Sequence, residues 1–513
     1  MPETPTPLSW TASLREGFVI WPEFVERFPI ALCRQHSIIG LQTINGQPIL
    51  AMAAPETLQM LDVVGRYLKT RVTGMLAPPE EIDAAVNRSY EQRADQTTGL
   101  LSDLKQNPEN VVLLEERDDL LESDDRAPVI QLVNSLLFEA VRSQCSDIHI
   151  QPREHNVAVR MRIDGILFDV HTLPKHVQEE VITRVKVLGR MNIAEKRLPQ
   201  DGRATVQVGK RKIDLRIASM PTNHGERVVI RLLDKSARLY TLEELGMDSV
   251  TLKRFRTTVR QEHGLVLVTG PTGSGKSTTL YAALKEIDTT ERNAVTLEDP
   301  IEYELEGISQ TQINTRKGMT FASGLRSVLR QDPDIIMLGE IRDEETAVMA
   351  IQSSLTGHMV FSTLHTNDAP SAVTRLLDLG IEPYLASSSL LAVLAQRLVR
   401  RICSGCKTPV ELTDSMRTSI GLPDDVTQVF KGTGCNQCRG TGYRGRFGVF
   451  ELLTITDQIQ SLITRRDTAS EIRTAAIVEG LRPMRLDGLE KVLAGHTTVE
   501  EVARVTVDNT MAE

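Results

Sequence analysis

The stretch Gly264-Leu265-Val266-Leu267-Val268-Thr269-Gly270-Pro271-Thr272-Gly273-Ser274-Gly275-Lys276-Ser277-Thr278 changes character twice. Leu265 to Thr269 are apolar and β-branched enough for a buried strand, and the segment from Lys276 through Ile287 has helix-forming composition. A glycine-rich turn joins them. Gly270, Gly273 and Gly275 let the backbone come close to a ligand, so that successive N–H groups and the following helix N-terminus point at negative charge. Lys276 then reaches the terminal phosphates and Ser277 holds Mg²⁺. Residues Gly270, Pro271, Thr272, Gly273, Ser274, Gly275, Lys276, Ser277 and Thr278 are therefore the candidate nucleotide-binding loop.

The chain around this loop has 513 residues, more than one hydrophobic core supports, which predicts three or four domains. A net charge of −9 counts against a general polyanion binder, so no nucleic-acid partner is expected. No apolar run approaches the eighteen or so residues needed to cross a bilayer. With no basic segment leading into an apolar one at the N-terminus, the chain reads as cytosolic, attached to a membrane only through partners. Six cysteines in so long a chain do not make a disulfide scaffold.

Residues 1–95 read as a small α/β domain holding both tryptophans, Trp10 and Trp21, with Phe18, Phe24 and Phe28 nearby. These aromatics fit a small core or a partner-docking surface, and the sequence does not separate the two. Residues 96–126 turn polar and acidic and read as a linker. In a second α+β domain, 127–239, Val129, Ile130, Val133, Leu136, Leu137 and Ala140 predict one apolar helix face. Alternation at Val157, Val159, Met161 and Ile163 predicts a strand with Arg160 and Arg162 on its other face, and Asp164-Gly165 a hairpin turn. The domain is rich in arginine, including Arg197, Arg203, Arg216, Arg227 and Arg231. Pro199 to Arg203 reads as a turn from which a guanidinium projects to suit a triphosphate bound elsewhere in an assembly.

In residues 240–398 short apolar strands alternate with helices, which predicts a mainly parallel sheet. The strands end in Glu298-Asp299, Gly339-Glu340 and Leu364-His365, and ligands lie at that edge of such sheets. Phosphoryl transfer needs positioning and charge neutralisation, and each group has a role in it. Glu340 holds Mg²⁺ directly or through water, Glu298 orients or activates the attacking water, and His365 senses the γ-phosphate. Arg326 and Arg330, one turn apart on a predicted helix, are candidates to touch phosphate or a neighbouring subunit. Cys403, Cys406, Cys435 and Cys438 form two Cys-x-x-Cys pairs separated by 407–434, the pattern of a structural Zn²⁺ site. Arg400, Arg401 and Lys407 are placed to offset the thiolate charge of this module, residues 399–445. The remainder, 446–513, reads as helical, with Ile459, Leu462, Ile463, Ile472 and Leu481 buried.

These motifs, in this order, resemble the GspE-type assembly ATPases of type II secretion systems, within a superfamily that includes the type IV pilus ATPases. Ser146-Asp147-Ile148-His149 and Arg197 to Arg203 resemble the family's second N-terminal domain, Gly270 to Ser277 its Walker A loop, and Glu298 to Glu302 its aspartate box. Gly339-Glu340 resemble its Walker B and Ser362 to Asp368 its histidine box. The tetracysteine insertion is like that of the assembly-type enzymes. The resemblance implies a RecA-like P-loop core, ATP and Mg²⁺ as cofactors, and a cytoplasmic homo-hexamer with ATP between the second domain and the core. It implies that Arg203 and Arg216 close on the phosphates, and that the first domain docks on a bitopic inner-membrane protein beside a polytopic platform. The implied function is a motor for pseudopilus assembly and protein export; the type IV pilus assembly ATPase is the alternative.

Overall fold

The computed structural model describes residues 18–28, 30–43, 46–94, 128–208, 211–234, 240–422 and 425–506. Their strands gather into four sheets, in two units that span 1–236 and 237–513. The acidic stretch 96–126 and Trp10 lie outside the described residues.

In the first unit, β1 (Phe18–Ile20), β2 (Ile38–Thr43), β3 (Pro48–Met52) and β4 (Thr73–Leu76) form a sheet in chain order. Trp21, Phe24 and Phe28 are buried and stack in series, the last two with ring centroids 4.7 Å apart. These aromatics fill a core and are not a docking surface. Six antiparallel strands follow: β5 (Cys145–Pro152), β6 (Asn156–Ile163), β7 (Ile166–Pro174), β8 (Gln200–Val208), β9 (Arg211–Thr222) and β10 (Gly225–Asp234), in the order β7-β6-β5-β10-β9-β8. Asp164 and Gly165 turn the β6–β7 hairpin with φ of 49° and 85°, the left-handed pair a two-residue turn requires. One face buries Ile148, Ile150, Val157, Val159, Met161, Ile217, Val228 and Ile230, with the helices Pro128–Arg142 and Gln178–Leu188 in the same core. Residues 200–203, expected as part of a turn, begin β8, so pairing to β9 holds Arg203 in place.

The second unit is built on β11 (Gly264–Thr269), β12 (Ala294–Glu298), β13 (Ser309–Gln312), β14 (Ile335–Leu338), β15 (Met359–Leu364), β16 (Leu390–Ile402), β17 (Lys407–Glu411), β18 (Gln428–Gly432) and β19 (Tyr443–Thr454). Seven of them form one sheet in the order β13-β12-β14-β15-β11-β16-β19. Every pairing is parallel except β16 with β19. The last pair departs from the sequence reading twice. Strand β16 runs on to Ile402, and residues 443–454, partly read as helical, form its antiparallel neighbour. The tetracysteine segment, with the β17–β18 hairpin, is thus an insertion between adjacent strands of the core sheet. The helices Asp457–Thr464, Ala469–Val478, Met484–Leu493 and Val499–Thr506 follow, with Ile459, Ile463, Ile472 and Leu481 buried as expected.

A buried ion pair fastens the helix Met484–Leu493 to β19. Lys491 Nζ lies 2.5 Å from Asp487 Oδ2 and donates to the Gly448 carbonyl at 2.8 Å, while Asp487 also accepts the Phe450 amide at 2.7 Å. Burial pulls both groups toward neutrality, lowering the Lys491 pKa and raising that of Asp487, and their mutual attraction opposes it. Removing one member strands the other in the core. Asp487→Ala should therefore lose about 3 kcal/mol or more of stability in urea unfolding; an unchanged midpoint and slope would show that the pair does not clamp the helix.

Candidate active site

β11 is buried at all six positions, and the chain then leaves the sheet into the helix Lys276–Lys285 through Gly270, Gly273 and Gly275. Gly275 caps that helix with φ of 89°, a conformation that favours glycine. At the carboxyl edge of the sheet lies a cavity of about 340 Å³. Thr272, Gly273, Gly275, Lys276, Ser277 and Thr278 line one side, and Glu298, Glu340 and His365 the other. Gly270 and Pro271 supply carbonyls to Lys276 Nζ instead, at 2.8 and 3.2 Å. Ser274 is buried under the loop.

The charges facing the cavity are already coupled. His365 Nδ1 is 3.4 Å from Lys276 Nζ and its Nε2 3.3 Å from Glu340 Oε2. Burial works against ionisation of Glu340, but the bonded Arg342 guanidinium and His365 hold its carboxyl below the ordinary range. Lys276 is brought down to about 8 by burial, with Glu340 opposing the shift. Glu298 is buried and accepts from Thr296 Oγ1 at 2.6 Å, Gln310 Nε2 at 3.0 Å and the Tyr281 hydroxyl. Those donors fix its orientation. The histidine loop is tied to the end of β11: Thr366 N donates to Thr269 Oγ1 at 2.9 Å, and the two hydroxyls are 2.7 Å apart.

Tyr281, Thr296 and Gln310 went unnoticed in the sequence, and Arg342 and Thr366, though they stand in the strand-end clusters, were given no role. Thr296 and Arg342 each stand two residues from a glutamate already singled out, and for Thr296 that spacing in a strand means a shared face. Tyr281 and Gln310 carry no such local signal.

The candidate arginines fall into two groups. Arg326 pairs with Glu345, and Arg330 lies beyond the helix Phe321–Val328, bonded to Ser327 Oγ at 3.4 Å. Neither lines the cavity, because the predicted helix ends before Arg330 and Arg326 faces its neighbouring helix. In the first unit, Arg203, Arg216, Arg231, Asp147 and Arg162 are direct cross-strand neighbours on β8, β9, β10, β5 and β6. Asp147 takes Arg231 at 2.9 Å and Arg162 at 3.7 Å. Three guanidinium groups, Arg203, Arg216 and Arg231, are thus adjacent across β8, β9 and β10, and Asp147 separates them from Arg162.

The four cysteines converge: Cys403–Cys435 Sγ atoms are 3.8 Å apart, and Cys406–Cys438 and Cys435–Cys438 3.7 Å. Zinc with bonds of about 2.3 Å at tetrahedral angles holds its sulfurs about 3.8 Å apart, so the donor set fits that ion. Backbone amides of Gly434, Cys435 and Gly442 donate to the sulfurs at 3.1–3.3 Å. The basic residues expected to offset the thiolates are engaged elsewhere. Arg400 pairs with Glu501 and lies over Tyr443, Arg401 lies over Phe447, and Lys407 over Phe430. The charged heads of these side chains are attracted to the ring faces, and amides reach the sulfurs without a counter-charge.

Residues 122–504 match the family described as Type II/IV secretion system protein, and residues 14–96 match the MshEN domain. The chain is 45% identical over 496 residues to Type II secretion system protein E of Aeromonas hydrophila, covering 94% of this chain and 97% of that one. It is 43% identical to the type IV pilus assembly ATPase PilB of Thermus thermophilus over 94% of this chain but 54% of that protein. The X-ray structure of the Yersinia pseudotuberculosis ATPase DotB shares the fold, with a TM-score of 0.55 at 21% identity over 78% of this chain and 99% of that one.

Two outcomes follow from the site chemistry. The purified chain should carry one zinc per molecule by elemental analysis, and Cys435→Ser should lose it; a metal-free wild type with four reactive thiols would rule the centre out. Phosphate favours charged Lys276, so nucleotide affinity should be full below pH 8 and fall by up to about tenfold per pH unit above it. Titrating ADP affinity from pH 7 to 9.5 checks this, and a flat profile would contradict it.

Proposed function

Since the chain belongs to the type II/IV secretion system protein family, we propose that it is the ATP-hydrolysing motor of a type II secretion system, powering pseudopilus assembly and protein export. The observation that carries the reading is the convergence of the glycine-rich loop, Lys276, Glu298, Glu340 and His365 on one cavity. In it the amides of the loop and of the helix start receive the phosphates. Lys276 exchanges the Gly270 and Pro271 carbonyls for phosphate oxygens. Mg²⁺, which Ser277 and Glu340 would hold, supplies charge neutralisation between the phosphates. Glu298, oriented by Tyr281, Thr296 and Gln310, aligns the attacking water, and His365 follows the γ-phosphate by exchanging partners with Lys276 and Glu340.

Arg203 and Arg216, adjacent on β8 and β9, are the candidate arginines for a further contact to the phosphates. A motor of this kind works as a homo-hexamer, in the cytoplasm and attached to the inner membrane through a bitopic docking protein and a polytopic platform. A four-cysteine zinc centre stiffens the insertion between β16 and β19. The likeness to PilB keeps type IV pilus assembly as the second reading, and the site chemistry is the same in both.

Lys276→Ala should abolish ATP turnover by the full-length chain. Glu340→Gln should bind ATP and hydrolyse it at least about 100-fold more slowly, because an amide would hold Mg²⁺ less well than the carboxylate does. Normal turnover by either variant would remove that residue from the mechanism. Capture from solubilised inner membranes with the full-length chain as bait separates the readings, by recovery of a bitopic secretion component or of a pilus platform.

A further inference from the structure

We propose that Gln396 is a positioning residue for the phosphate-binding loop, holding the Ser274–Gly275 peptide so that its N–H faces the cavity. The proposal rests on the reading of that cavity as the ATP site. Gln396 stands on β16 just past the last residue paired to β11, where the sheet edge gives way to the loop. Its side chain is buried and touches the loop on one side and the following helix on the other. Nε2 donates to the Ser274 carbonyl at 2.6 Å, and Oε1 accepts from the Thr279 hydroxyl at 2.7 Å.

In a planar trans peptide the carbonyl and the next N–H point in opposite directions. Fixing the Ser274 carbonyl toward β16 therefore turns the Gly275 N–H away from it, on the side where Gly275 lines the cavity. The fit leaves no slack. A Cβ on Gly270 would lie 2.5 Å from the Gln396 carbonyl, and one on Gly275 3.1 Å from Gln396 Nε2. A glutamine amide supplies a donor and an acceptor at once without carrying charge at any pH. The next residue, Arg397, emerges on the opposite face of β16 and donates to Asn367 Oδ1 of the histidine loop at 2.9 Å. One strand thus braces both loops of the site.

The test compares the full-length wild type, Gln396→Leu, Gln396→Glu and Lys276→Ala in binding a fluorescent ADP, with thermal melting of each nucleotide-free chain. Gln396→Leu should raise the ADP Kd by about tenfold, and the nucleotide-free chain should melt only a few degrees lower for the loss of the donor to the buried Ser274 carbonyl. Gln396→Glu keeps the size and the Thr279 bond but presents an acceptor to the Ser274 carbonyl. Its affinity should be weak at pH 8 and recover toward pH 5, where a protonated carboxyl donates again; a purely structural role would not give that recovery. If both Gln396 variants bind ADP like the wild type while Lys276→Ala does not, the proposal is overturned and the ATP site stands. If Lys276→Ala also binds like the wild type, the site reading fails and the proposal falls with it.

Discussion

The second unit depends on the parallel pairing of β11 between β15 and β16. A parallel strand paired on both sides and covered on both faces can shift register only by breaking two ladders and repacking both faces at once. The loop that leaves its end is consequently anchored at a fixed point. Its neighbours deliver the other functional groups to the same edge: β12 ends at Glu298, β14 precedes Gly339 and Glu340, and β15 leads to His365. The positions of these groups are inherited from backbone ladders, with side-chain ties added where the ladders stop.

Those ties share a logic. Each polar group that must be aimed is held by a neighbour, on a strand for Thr269 and Gln310, on the helix Lys276–Lys285 for Tyr281 and just past β14 for Arg342. Thr269 holds Thr366, Gln310 and Tyr281 hold Glu298, and Arg342 holds Glu340. Donors arranged in advance around a site cost little reorganisation when charge develops in it. The Lys276–His365–Glu340 chain differs, because phosphate would replace its contacts. It is the part of the site poised to rearrange, while Glu298 is the part built to stay.

The tetracysteine insertion obeys the same economy at the far end of β16, where Cys403 directly follows Ile402. Four thiols at metal-site spacing need no large apolar core, so a short hairpin can be rigid there. Packing of Ile420, Leu422 and Val429 with Val492, Val499 and Val502 joins the insertion to the C-terminal helices. The segment thereby becomes part of the core's frame.

Much of this was legible in the chain itself. The loop from Gly270 to Thr278 and the cysteine pairs are contiguous patterns whose chemistry depends on spacing alone, and the strand-end acids follow from how a parallel sheet presents its edge. What needed the tertiary structure were partners distant in sequence: Tyr281 and Gln310 on Glu298, Gln396 under the loop, and Arg203, Arg216 and Arg231 brought abreast on three strands. The same holds for β19, whose residues form a strand because β16 offers an open edge beside them. Local sequence determines which groups can do the chemistry, because their reactivity and backbone needs are short-range properties. Which of them face one another is decided by strand register and packing, which join residues that no spacing along the chain connects.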